Sequence, residues 1–147
     1  MRVILFIVSL LFTVQGVFSQ GNSTVDLKIT ITGIKEVGGN VSVNLFKTSD
    51  GFPEDPSKAY LYKTIKADHS KESVYFMNLS PGIYAFAVLH DENENDEMDK
   101  NFLGIPTEGF AFSNNYKPKI KSPAFVDAAF SVEQKDTSVE VEMLYFL

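Results

Sequence analysis

Ile83-Tyr84-Ala85-Phe86-Ala87-Val88-Leu89 is apolar without interruption, with Ser80-Pro81-Gly82 before it and His90-Asp91-Glu92 after it. A run this short, closed by turn residues at one end and charge at the other, matches a strand covered on both faces better than a buried helix. Side chains alternate across a strand, so both layers beside it must be apolar. The stretch predicts a central strand that delivers Asp91 to the rim of the core.

Toward the N-terminus, Val74-Tyr75-Phe76-Met77-Asn78-Leu79 reads as the preceding strand, joined to the central one through the Ser80-Pro81-Gly82 turn. Tyr60 to Ala67 is rich in β-formers but alternates poorly, which suits a short edge strand. Ser49 to Pro56, with two prolines and a glycine, is a loop. Val25, Leu27, Ile29 and Ile31 alternate with polar residues, as do Val41, Val43 and Leu45, and Gly38-Gly39-Asn40 between them predicts a hairpin. On the C-terminal side, Ala128, Phe130 and Val132, then Val139, Val141, Met143 and Tyr145, alternate around Gln134-Lys135-Asp136 and predict a closing hairpin. The sum is an all-β chain, a seven-stranded antiparallel β-sandwich with one long loop after the fifth strand.

That loop is expected to run from Glu92 to Pro123, punctuated by Gly104, Pro106, Gly109, Asn114, Asn115 and Pro118. Connections of this length are functional or disordered. Phe102, Leu103, Ile105, Phe110, Phe112 and Tyr116 argue against disorder and predict a cover over one end of the domain. Phe102, Phe110, Phe112 and Tyr116 are also candidate partner-binding residues, although aromatics of this kind more often plug a core end.

Residues 1–19 carry one basic residue, Arg2, an apolar run from Val3 to Val14 and the exit Val17-Phe18-Ser19, the pattern of a secretory signal peptide. The apolar run is short for a membrane span of about 20 residues. Residues 20–147 are then expected to form a single domain. Its net charge, after loss of Arg2 from a chain at −6, is −7, which argues against a nucleic-acid partner. Cysteine is absent, so disulfides and thiolate chemistry are excluded.

The segment after the central strand, His90-Asp91-Glu92-Asn93-Glu94-Asn95-Asp96-Glu97-Met98-Asp99-Lys100-Asn101, has the composition of a site for a hard cation. Calcium takes about six to eight oxygens, and EF-hand-type loops supply them from alternate positions. Asp91, Asn93 and Asn95 stand at the first, third and fifth positions, Glu97 offers a carbonyl at the seventh and Asp99 stands at the ninth. Asp96 replaces the glycine that eases the sharp turn, and Phe102 stands where a bidentate glutamate is usual, so a complete EF-hand is excluded; Glu108 is a candidate additional ligand. The plain alternative is a solvated turn, since Asp and Asn favour loops for local hydrogen-bonding reasons.

Leu79-Ser80-Pro81-Gly82-Ile83-Tyr84-Ala85, then His90-Asp91 with Asn93, Asn95 and Asp99, then Gly104-Ile105-Pro106-Thr107-Glu108-Gly109-Phe110-Ala111-Phe112-Ser113-Asn114-Asn115, follow in that order. From about Leu27 to Tyr145 the chain resembles a secreted bacterial family, domain of unknown function 2141. The resemblance implies an exported protein with a transthyretin-like, Greek-key sandwich and no assigned activity. Its members usually carry glycine where this chain has Asp96.

Three functions follow as expectations. The first is a non-catalytic secreted module, in the periplasm, at the outer membrane or outside the cell, whose calcium orders the long loop for a protein or glycan partner. The second is a hydrolase using His90 with Asp91 and Glu108, against which stands the lack of a nucleophile elbow, zinc motif or phosphate loop. The third is a surface-assembly component pairing through an exposed edge; the first reading expects a monomer.

Overall fold

The computed structural model describes residues 23–119 and 121–146; the predicted signal segment lies outside them. Eight strands form two packed sheets, one more strand than the sequence pattern predicts: β1 (Val25–Thr32), β2 (Asn40–Phe46), β3 (Leu61–Lys66), β4 (Lys71–Leu79), β5 (Gly82–Asp91), β6 (Gly109–Phe112), β7 (Phe130–Val132) and β8 (Thr137–Glu142). One sheet has the order β4-β1-β8, the other β3-β2-β5-β6, with β7 pairing the start of β5. The all-β sandwich is as predicted, but it is not wholly antiparallel, because β8 runs parallel to β1.

Neither expected hairpin forms. β1 and β2 lie in opposite sheets, and the closing pair separates, β7 joining β5 at Gly82, Ile83 and Tyr84 while β8 joins β1. The reason is general: a period of two states which face of a strand is buried, not which sheet it joins. Leu27, Ile29 and Ile31 from β1 and Val41, Val43 and Leu45 from β2 belong to one core, reached from opposite sides. Asp136 fixes the last crossover by accepting the Asp26 backbone N–H at 3.0 Å.

β5 is central as predicted, with β2 on one side and β6 and β7 on the other. Its inward Tyr84, Phe86 and Val88 join the core between the sheets. Outward, Ala87 lies under a second cluster with Phe110 and Phe112, against which Phe52, Met98, Tyr116 and Leu144 pack. Phe52 comes from the proline-rich loop and meets Phe46, Phe112 and Phe125 edge-on. The expected long loop is shorter, Glu92 to Glu108, because β6 interrupts it; four residues, all buried, are too few to announce a period.

The segment after β6 is held by its own polar groups. Buried Ser113 accepts the Phe86 N–H at 3.0 Å and donates to the Ala128 carbonyl at 2.6 Å, tying loop, β5 and the short helix α1 (Phe125–Ala128) together. Asn115 accepts the Glu142 N–H at 2.8 Å and donates to the Glu140 carbonyl at 3.2 Å, occupying the open edge of β8.

Candidate functional site

At the end of β5, alternation sends His90 inward and Asp91 outward, so the two neighbours never share a site. His90 is fully buried. Its Nε2 lies 2.9 Å from the Gly38 carbonyl, which can only accept, so Nε2 carries the proton. Nδ1, 2.9 Å from the Tyr145 hydroxyl, then accepts from it, and that hydroxyl accepts the Lys35 N–H at 3.2 Å. Burial raises the Tyr145 pKa, the Lys35 N–H opposes the shift, and the carboxylates of Glu92 and Glu36 add to it. Both His90 nitrogens are thus engaged in holding the strand end to the preceding turn and to the C-terminal segment.

Asp91 organises the loop. One of its oxygens accepts the Asn95 N–H at 3.1 Å and the other the Asp96 N–H at 2.8 Å, closing a tight turn. Asn93 Oδ1 also accepts from Asn95 N, and Asn95 Oδ1 accepts from Glu97 N at 2.8 Å, a succession of Asx turns. Glu94 and Asp96 take positive φ, 60° and 62°. Asp96 therefore adopts the left-handed conformation in which glycine is usual, at a steric cost that short polar residues bear better than most.

These turns bring the alternate side chains together. The amide nitrogens of Asn93 and Asn95 reach the two oxygens of Asp99, at 2.6 and 3.1 Å. Glu108, buried, comes from the far side and accepts the backbone N–H of Glu92 and of Asp99, each at 3.0 Å, so it clips the two ends of the acidic segment. The Glu97 side chain stays exposed, and its carbonyl is the group its position offers. Among the described residues no three His, Asp or Glu side chains gather as a metal cluster; the side chains that meet are Asn93, Asn95 and Asp99, while the carboxylates of Asp91 and Glu108 are turned to backbone N–H groups.

Beyond Asp99 the loop makes a narrow projection. Thr107 donates to the Asp99 carbonyl, and Lys100 bridges to Pro106. Asn101 Oδ1 accepts the N–H groups of Leu103 and Ile105, at 2.9 and 3.1 Å. The tip so fixed exposes Phe102 (95%), Leu103 (67%) and Ile105 (40%). The four candidate aromatics thus separate: Phe102 is at the tip, Phe110 and Phe112 are buried on the outer face of β6, and Tyr116 is half-buried beside them.

Sequence reasoning missed four contributors. Asn101 reads as an ordinary loop residue, since its role depends on two later N–H groups folding back. Gly39 reads as a hairpin glycine, yet at φ +66° it lies so close to the loop that a side chain would collide with the Asp91 carbonyl. Leu103 and Ile105 were legible only as cover for the core. Over residues 29–140 the chain matches the family described as "Uncharacterized protein conserved in bacteria (DUF2141)". No curated protein and no solved structure matches it.

Proposed function

The chain belongs to that family, and from this premise we propose that it is a non-catalytic, exported binding module in which calcium fixes the acidic loop and the loop presents its apolar tip to a protein or glycan partner. Asp91, Asn93, Asn95 and Asp99 supply side-chain oxygens, Glu97 a carbonyl, and Glu108 either a ligand or the clip that holds the loop ends. The observation that carries the reading is the Asp91 turn, which aims Asn93 and Asn95 at Asp99 although nothing in their sequence neighbourhood is apolar enough to drive that packing. Two amide N–H groups there do what a cation would do better: they offset the charge of Asp99 among five neighbouring acids, Asp91, Glu92, Glu94, Asp96 and Glu97.

Export and a transthyretin-like relationship belong to the same proposal; the N-terminal sequence pattern and the two-sheet layout support them. A hydrolase has less support, because both nitrogens of His90 are engaged and the ring faces away from Asp91. Among the described residues no helix is long and apolar enough to cross a membrane. Thermal melting in calcium and in chelator tests the calcium reading. A cation that binds only the folded form stabilises it by about 1.4 kcal/mol for each tenfold excess over Kd, so the midpoint should rise in calcium and the Asp99→Ala variant should lose that rise; coincident midpoints for the parent chain would remove calcium from the function.

A further inference from the structure

Where the outer face of the larger sheet passes under the loops it is hollow. Asn44, Ala87 and Phe112 are directly paired across β2, β5 and β6, and the small Ala87 in the middle of that row leaves a depression. Met98 and Pro106 from the acidic loop and its tip wall one side, Phe146 contributes from the C-terminal segment, and the cleft encloses about 740 Å³. That lies within the range of about 300 to 1,000 Å³ usual for small-molecule sites.

The opposite rim is cationic. Between Gly109 and Val126 the chain has no Asp or Glu but carries Lys117, Lys119 and Lys121, in a protein of net charge −6. Lys119 and Lys121 line the cleft, as does Lys100 from the acidic loop. Lys117 faces Glu142 at 3.9 Å, whereas the other three make no ion pair among the described residues. Asp96, Glu97 and Glu54 also line the cleft; Glu54 accepts a hydrogen bond from Ser122 at 2.7 Å and so stands as a carboxylate beside Lys121, while Asp96 and Glu97 belong to the acidic loop with Lys100. Lys119 and Lys121 thus outnumber the one carboxylate, Glu54, beside them, and an anion is favoured there.

We propose that this cleft binds a single anionic amphiphile, an acyl chain lying over Ala87 between Met98 and Phe146 with a carboxylate or phosphate head at Lys119 and Lys121. An apolar floor suits a chain better than a sugar, because among the described residues that line the cleft Asn44 and Ser122 are the two uncharged side chains able to hydrogen-bond to hydroxyl groups. A concave site suits a monomeric lipid better than a bilayer. This assignment goes beyond the calcium reading and does not depend on it.

Isothermal titration with dodecanoate, dodecyl phosphate, dodecyl maltoside and butyrate, below micellar concentrations and in chelator, tests it. Saturable binding of one or both long-chain anions at one site per chain is expected, the pair deciding between the two heads, with butyrate and the uncharged maltoside at least tenfold weaker. The double variant Lys119→Glu, Lys121→Glu should raise the anion Kd about tenfold, the effect of two partly exposed ion pairs, and leave melting unchanged. Ala87→Phe should fill the floor and abolish binding; should that variant fold poorly, the lysine variant decides alone. The proposal is overturned by absence of saturable anion binding, by maltoside binding as tightly as the anions, or by an unchanged Kd in the lysine variant. Anion binding without any calcium effect on melting would sink the calcium function and leave this site standing.

Discussion

The inner face of β5 carries Tyr84, Phe86, Val88 and His90, sealed against the other sheet; the outer face carries Ala85, Ala87, Leu89 and Asp91, on which loops rather than a second sheet lie. The two faces alternate within one strand yet are stabilised differently. Inside, bulky side chains interlock between two hydrogen-bonded sheets that hold each other in place. Outside, a few aromatics and a set of side-chain-to-backbone hydrogen bonds hold segments that could separate from the sheet without unfolding it. One face secures the fold, while the other leaves room for a binding surface.

Truncation on each face is the strongest way to break this comparison. Phe86→Ala should cost about 3–5 kcal/mol, the range for a large aromatic lost from a closed core, and Phe112→Ala distinctly less, because the loop residues above it can settle inward. Equal costs in chemical denaturation would mean that the outer cluster is as much a core as the inner one. Next in size, Asp91→Ala leaves the Asp96 N–H without its acceptor and the Asn95 N–H with Asn93 Oδ1 alone, and should cost about 1–3 kcal/mol. Hydrogen exchange should then rise between Glu92 and Glu108 while the strands stay protected; spread of the change into β1 and β4 would contradict the separation.

A finer test uses pH. Tyr145 packs at the end of the inner core, its hydroxyl bonded to inward His90 and its ring against Lys35 at 4.9 Å. Its pKa is raised in the folded state, chiefly by burial, so its contribution is fully present below the unfolded value of about 10 and is lost as pH climbs through the folded value. Stability of the parent chain should fall more steeply above pH ~10 than that of Tyr145→Phe, and parallel curves would show that the phenol is not held as the structure places it. The smallest expected effect is at the tip: Phe102→Ser should change stability by no more than about 0.5 kcal/mol, and a larger loss in urea denaturation would mean that Phe102 supports the fold rather than faces a partner.

The sequence made strand positions legible wherever one face is buried, as at Leu27, Ile29 and Ile31, and it made the central strand legible because Tyr84 to Val88 are apolar on both sides. Partnership was not legible. Whether Val41 pairs beside Ile29 or packs across from it depends on the connection, and Gly33 to Gly39 allows either. β6 escaped because all four of its residues are buried. At the candidate site, the alternate spacing picked out residues that the turns link by hydrogen bonds, Asn93 and Asn95 to the Asp99 side chain and Asp91 to the backbone. Glu108 was legible only as a possible partner from beyond, and the lysine-lined cleft not at all, because its floor and its rim lie on segments far apart in the chain.

Asn115 has a consequence for life at high concentration. A β-sheet ends in a row of unused hydrogen-bonding groups, and a passing copy of the same chain can dock its own strand there and begin a polymer. On β8 the carboxamide of Asn115 already occupies the Glu140 carbonyl and the Glu142 N–H, imitating the peptide group of an incoming strand. An incoming strand would have to displace that side chain before it could pair at this end of β8, so the carboxamide acts as a guard on the border.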